Sequence, residues 1–464
     1  MLNKIENFFK CLHGKKIAFI GAGVSHKECI EMFCENGAIV TLCDKKSDIA
    51  DFGEYANTLC RLNVRLSLGE DYLNGLKEQD LIMRTPGFEY YTKELQEAKA
   101  EGCEVTSEMQ LFFELCPCKI VAVTGSDGKT TTTTLISEIL KKEGYTVHLG
   151  GNLGRALLPI IKTINTDDIA VVELSSFQLI SMHAPCNVAV VTNVTPNHLD
   201  HHKDMSEYID AKRNILLYQP KDSLAVLGYE NEITREMSDD VKGECAYFTR
   251  KSIVENGAYL TDKGVLTIVK NCVQQPVVHK SEMLLRGEHN VENMLAAFAA
   301  TKYLASTDSM ADVARSFSGV EHRIEPVRTL NGVKYYNDSI ATSPTRVIAG
   351  LRAFNEKLII IAGGYDKHIP FEPMAKDVNE HVKLLILTGA TADKIEQAIK
   401  ADDSYNKDNI EIMRAVDMQD AVNIAYKYAK SGDIVSLSPA CASFDVYPNF
   451  EARGNDYKHL VNAL

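Results

Sequence analysis

The sequence predicts an α/β protein of several domains built on parallel sheets. Short apolar runs that end in glycine or polar turns and pass into helical periodicity recur along the chain, among them KIAFIGAGV, KIVAVTGSDGKTTTTT, IAVVELSSFQL and KLIIIAGG. At 464 residues the chain is longer than one hydrophobic core serves, so two to four domains are expected, and a 45% hydrophobic content is enough to fill them.

Charge and cysteine usage narrow the function classes. A net charge of −13 and a pI near 5.5 argue against general binding to nucleic acid or acidic membranes, which need a positive field. The twelve cysteines show no double CxxC of metal type, and only Pro117 separates Cys116 from Cys118, so reduced thiols are expected. The amino terminus, MLNKIENFFKCLHGKK, has no long apolar core, and no run approaches the roughly twenty apolar residues of a spanning helix. These features predict a cytoplasmic protein.

The first segment, residues 1–117, opens with KKIAFIGAGVSHKECIEMF: a strand, a turn at Gly21 and Gly23, and an amphipathic helix. The next strand, AIVTLCD, closes at Asp44, about where dinucleotide folds place a ribose-binding acid, but His26 takes the third glycine position. A Rossmann-like unit that packs a sheet and binds nothing fits these residues equally well. LIMRTPGF ends a further strand in a Pro-Gly turn, where open parallel sheets place ligands.

The most informative stretch runs from Lys119 to Thr134, KIVAVTGSDGKTTTTT. Gly125 and Gly128 let the backbone turn sharply towards a ligand, and a helix starting at Thr130 would aim its N–H groups at phosphate oxygens. Lys129 adds a positive charge, and the Thr130 hydroxyl suits magnesium. Only Ser126 and Asp127 separate Gly125 from the Gly-Lys pair, where the common phosphate loop has four residues, so the literal motif fails while each physical part is present.

Three later strands end in polar residues at the same sheet edge. YTVHLGGNLG closes near Gly150, Gly151, Asn152 and Gly154; IAVVE delivers Glu173, a metal-ligand candidate; and NVAVVTNVTPNHLDHH brings His198, Asp200, His201 and His202. Zinc is the rival use of such histidines, although a phosphate site favours magnesium and oxygen ligands. MSEYIDAKRNILLYQ has helical spacing, with Ser206 as its expected cap. Spacing alone makes Lys212 in this helix a solvated lysine. Further on, KLIIIAGG, KLLILTG and DIVSLSPA are strands separated by helical stretches, and Lys367 follows the first of them.

Together, TGSDGKTTT, GGNLG, VVELSSFQL, VTNVTPNHLDHH with DAKRNI, RGEHNVENMLAA, GVEHRIEPV, YNDSIATSPT, AGGYDK and SPACASFDVYPNFEARG resemble the Mur ligase family, over residues 124–454. The resemblance implies three domains. These are a Rossmann-like UDP-sugar-binding domain (1–117), a central P-loop ATPase-like domain with a parallel sheet (118–318), and a carboxy-terminal Rossmann-like α/β domain that carries the amino acid (319–464). YNDSIATSP, SPACASFD and NFEARG are similar to the members that join D-glutamate to UDP-N-acetylmuramoyl-L-alanine in peptidoglycan precursor synthesis, using ATP and an acyl phosphate, as cytoplasmic monomers.

By motif, the resemblance implies ATP contacts at Gly125, Ser126, Asp127, Gly128, Lys129, Thr130, Thr131, Asn290, Arg323 and Asp338. It puts the UDP-sugar at Ser25, Asp44, Thr85, Pro86, Gly87, Asn152 and His198, and D-glutamate at Thr342, Lys367, Ser443, Phe444 and Phe450. Two magnesium ions are implied at Thr130, Glu173, His198 and Lys212, the last as a carbamate, an anionic oxygen ligand where an ammonium would be repelled. The catalytic set is Lys129, Glu173, His198 and Lys212. Two positions depart from the family pattern: Ile340 stands where NDSKAT has lysine, and Asn197 replaces an acid before the histidine.

Overall fold

The computed structural model describes residues 2–152, 156–183, 185–196, 202–285, 287–367 and 369–464. Two compact units divide the chain, Met1–Phe317 and Ser318–Leu464.

The first unit holds two sheets. β1 (Lys16–Ile20), β2 (Ile39–Asp44), β3 (Arg65–Leu68), β4 (Leu81–Met83) and β5 (Glu104–Thr106) pair in parallel in the order β3-β2-β1-β4-β5. The order reverses beside β1, which puts the turn after that strand, at Gly21 to Gly23, at the crevice where such sheets bind ligands. Phe19, Ile30 and Phe33 are fully buried between β1 and helix Val24–Glu35, which explains the apolar run and the helical spacing that follows it.

The second sheet is formed by β6 (Lys119–Thr124), β7 (Val147–Gly151), β8 (Ile169–Glu173), β9 (Val188–Val191), β10 (Leu224–Gly228), β11 (Glu244–Thr249), β12 (Gly257–Leu260), β13 (Val265–Lys270) and β14 (Val273–His279). Its order is β14-β13-β12-β11-β10-β9-β6-β8-β7. From β7 through β12 neighbours pair in parallel; β13 and β14 are antiparallel and extend one side. β6 lies between β8 and β9, so the carboxyl ends of three buried strands, each followed by one of the polar stretches read from sequence, lie side by side. Helix Lys129–Glu143 packs along helix Glu288–Thr301, whose buried face carries Met294, Leu295 and Phe298.

The second unit has one sheet of β15 (Glu325–Leu330), β16 (Val333–Asn337), β17 (Leu358–Ala362), β18 (Val382–Leu387), β19 (Glu411–Arg414) and β20 (Ile434–Leu437), in the order β15-β16-β20-β17-β18-β19. All pairs are parallel except the β15–β16 hairpin. Leu358–Ala362 is buried throughout, with separate apolar clusters on the two sheet faces, as expected for a strand covered by helices on both sides.

Candidate active site

The loop after β6 is built by its neighbours as much as by its own residues. Gly125 has φ +147°, and a Cβ there would come within 1.8 Å of the Thr192 hydroxyl oxygen; Gly128 has φ +76°, and a Cβ would sit 2.3 Å from Asn293 Oδ1. Both positions therefore need glycine for conformation and for space. The Ser126 amide donates to Asn193 O at 2.8 Å and the Asp127 amide to Asn193 Oδ1 at 3.0 Å, while the Tyr208 hydroxyl lies 2.9 Å from Ser126 Oγ. Asn193, Asn293 and Tyr208 were not singled out as site residues from sequence. Asn193 lies in the polar run after β9, and nothing local in the sequence tells that its side chain crosses to the neighbouring strand's loop.

Helix Lys129–Glu143 starts at this loop, one residue before the expected Thr130. Lys129 Nζ donates to Gly125 O at 3.0 Å and Ser126 O at 2.8 Å, which holds its charge over the loop. The Thr130 hydroxyl donates to Glu173 Oε2 at 2.7 Å and the Asn152 amide to Glu173 Oε1 at 2.8 Å. A buried carboxylate, held by neutral donors beside a hydroxyl, is a pair of hard oxygen ligands of the kind magnesium prefers. Asn290 accepts from Asn293 Nδ2 at 3.3 Å, which ties it to the same loop.

Lys212 departs most from the reading by spacing. Far from being solvated, it is 1% exposed and donates to Gly125 O at 2.8 Å. Burial, reinforced by the Lys129 charge, lowers its amine to about 7. Its helix, Met205–Leu217, is capped by Asp204, whose Oδ1 accepts from the Glu207 amide at 2.9 Å, and not by Ser206. The chain enters the helix two residues earlier than the serine would place it, and aspartate is an equally good cap.

Of the histidine cluster, His198, Asp200 and His201 lie outside the described residues, as does Asn197. His202 is buried against the Phe177 ring, with Nε2 at 2.9 Å from Ser176 Oγ and Nδ1 at 3.3 Å from Glu207. Among the described residues no group of three or more His, Cys, Asp or Glu is arranged to hold a metal.

At the first sheet, Asp44 Oδ2 accepts from the Ala22 amide at 3.1 Å, and Asp44 and Thr85 both stand about 4 Å from where a Gly21 Cβ would be, so these turns share one crevice. Ser25 is in the first turn of the helix that follows. Pro86 and Gly87 belong to a turn held by Arg84, a buried guanidinium that no sequence motif marks. It donates to Phe88 O at 2.8 Å, Phe177 O at 2.9 Å and Ser181 Oγ at 2.9 Å, joining this turn to the second sheet's helix Ser176–Leu179.

In the second unit, Asp338 follows β16 and accepts from the Ile324 amide at 3.2 Å; burial pushes its carboxyl up to about 7, against the nearby positive charges of Arg323 and Arg346. Lys367 Nζ donates to Thr342 O at 3.1 Å, and burial lowers its pKa. Ser443 is buried, whereas Phe444 is 63% exposed with its ring against Tyr365. Phe450 meets the His322 ring edge to face. Arg453 binds the two loops together, donating to Ser339 O at 3.0 Å and Cys441 O at 3.1 Å. Ile340, where the family pattern has lysine, bonds through its backbone: its amide donates to His322 O at 3.1 Å, and its carbonyl accepts from Arg346 at 3.0 Å and from the Thr342 amide at 2.8 Å.

Three family models match in sequence: the N-terminal domain of MurD-like Mur ligases over residues 15–107, the Mur ligase middle domain over 123–301, and the glutamate ligase domain of Mur ligases over 322–441. The chain is 48% identical over 469 residues to a UDP-N-acetylmuramoylalanine–D-glutamate ligase of Acetivibrio thermocellus and 47% identical over 464 residues to one of Clostridium botulinum, covering 100% of both chains in each case. Among solved structures, the UDP-N-acetylmuramate-alanine ligase of Thermotoga maritima matches with a TM-score of 0.54 at 17% identity, over 97% of this chain and 99% of that one. A pseudomurein peptide ligase of Methanothermus fervidus matches with a TM-score of 0.52 at 18% identity, over 97% and 100%. At such identities the two structures speak to the fold alone.

Proposed function

The chain belongs to the Mur ligase family, and from that membership we infer that it is an ATP-dependent ligase that joins D-glutamate to the alanyl carboxylate of UDP-N-acetylmuramoyl-L-alanine in peptidoglycan precursor synthesis. The observation that carries this reading is identity near one half, end to end, with proteins bearing that name. We assign the work to the cytoplasm and to a monomer. No helix among the described residues is long and apolar enough to cross a membrane.

We assign residues 1–117 to the UDP-sugar, 118–318 to ATP and 319–464 to the amino acid. The alanyl carboxylate attacks the γ-phosphorus of ATP, ADP leaves, the glutamate amine attacks the acyl phosphate carbon, and phosphate departs. Lys129 and the amides at the start of its helix can meet phosphate charge, and Arg323 and Asp338 are assigned to ATP by their motifs. Thr130 and Glu173 are the residues that would hold magnesium, which when bound offsets negative charge on the transferring phosphoryl group. His198 is assigned to a second such ion by its motif.

Lys212 is proposed to carry a carbamate. Carbon dioxide reacts with the unprotonated amine, and an amine held at about 7 is about half unprotonated at neutrality, unlike a solvated lysine. Its nitrogen then bears an anionic oxygen group beside the phosphate loop. Thr342, Lys367, Ser443, Phe444 and Phe450 are assigned to glutamate, with Lys367 pairing with one of its carboxylates. The test is ADP release by the purified chain. It is expected only when both UDP-N-acetylmuramoyl-L-alanine and D-glutamate are present; release with L-glutamate but not the D form, or with no amino acid at all, overturns the assignment.

A further inference from the structure

Between the two sheets of the first unit runs Cys116-Pro117-Cys118, which the ligase reading leaves without a role. Cys116 and Cys118 Sγ lie 3.5 Å apart, within contact distance, and all twelve cysteines are free thiols. Both flanks are anchored. The Cys116 amide donates to Phe112 O at 2.8 Å, closing helix Glu108–Leu115, while Lys119 immediately begins β6 in register with Ile169. Pro117 fixes its own φ near −65°, which limits how far the backbone between the two cysteines can move. Cys116 is half-buried and within reach of a small molecule; Cys118 is buried beneath it.

We propose that Cys116 and Cys118 form a reversible dithiol modification site that takes a low-molecular-weight disulfide as its oxidant. The Cys116 thiolate attacks one sulfur of the small disulfide RSSR, forming a mixed disulfide and expelling one RS⁻. The Cys118 thiolate then attacks Cys116 Sγ, expels the second RS⁻ and closes the protein disulfide, drawing the sulfurs in to about 2.05 Å. Two protein thiols and RSSR become one protein disulfide and two RSH, so electrons and protons balance. In a reducing compartment the pair rests as two thiols, which suits a transient bond and not a structural one.

The test uses the reduced full chain, incubated with oxidised glutathione, quenched with an alkylating maleimide, and analysed by intact mass and by digestion after glutamate. Cleavage after Glu114 separates these two cysteines from Cys103. The expected product is two hydrogens lighter, has lost two alkylatable thiols located to the peptide beginning at Leu115, and regains them with dithiothreitol. Cys118→Ser should trap one glutathionyl group on Cys116, and Cys116→Ser should abolish the loss. The proposal is overturned if the wild-type pair stays fully alkylatable, or if it accumulates a glutathione adduct that never closes, whatever the variants do.

Discussion

At the scale of the residue, the loop after β6 meets two lysines in opposite situations. Lys129 lies over loop carbonyls, part-buried, so Lys129→Ala removes charge without opening the core. Turnover should fall about a hundredfold, the loss of roughly 3 kcal/mol of transition-state stabilisation, with Tm unchanged. Wild-type turnover would reject the site. Lys212 is sealed in, and its proposed carbamate makes a separate expectation. With ¹³C-bicarbonate the wild-type chain should show a carbamate resonance that Lys212→Ala lacks, and formate, but not ammonium, should partly restore the variant's turnover by returning an anionic oxygen. A variant with normal kcat, or a wild-type spectrum without the resonance, would remove the carbamate.

Among the elements, one carboxylate links the two sheets of the first unit. Helix Glu108–Leu115 is capped by Ser107, whose Oγ accepts from the Gln110 amide at 3.1 Å; its first residue, Glu108, turns inward to accept from the Leu157 and Leu158 amides at 2.9 and 2.8 Å. Those amides open the short helix Leu158–Thr163, six residues past Asn152. Burial, opposed by the two hydrogen bonds, raises the Glu108 carboxyl to about 7. Its ordinary value is near 4.3, so between those pH values the folded chain keeps a proton that the unfolded chain has lost. The stabilisation is complete at the acid end and disappears as pH rises through 7. Glu108→Gln keeps a carbonyl acceptor but does not titrate. From pH 5 to 8 the wild-type Tm should therefore fall relative to the variant's, by an amount that corresponds to about 3 kcal/mol at most. Parallel Tm curves would show that this carboxyl titrates normally.

For the whole molecule, the proposed division of labour makes a kinetic prediction, because Asp44 and Lys367 belong to different units. Lys367→Ala should raise KM for glutamate and leave KM for ATP nearly unchanged, since its proposed partner is a carboxylate. Asp44→Ala should raise KM for the UDP-sugar alone. Steady-state kinetics with each substrate varied in turn decides it: equal weakening of ATP and glutamate by the first change, or an ATP effect from the second, would reverse the assignment.

What the sequence determined by itself is whatever rests on a few consecutive residues. Buried parallel strands need unbroken apolar runs, sharp turns at their ends need glycine, and a helix must follow for the chain to return, so the α/β class was legible in Ile17–Ile20, Ile120–Val123, Ile169–Val172 and Leu358–Ala362. The same logic put Glu173 at a strand end beside the phosphate loop, where its carboxylate meets Thr130. Less was read where pairing is antiparallel: β12 to β14 and the β15–β16 hairpin, although the latter turns at Asn331-Gly332, carry no glycine signature of a ligand site. Only the tertiary structure decided which side chains become buried. Lys212 sits on an ordinary-looking amphipathic helix, and its partner, Gly125, is 87 residues away. Asn293 backs Gly128 from a helix still further along the chain, and Arg84 spans two sheets. Helical period marks the face of a residue, but its desolvation, and with it the protonation of a lysine or a carboxylate, is set by whatever distant segment packs over that face.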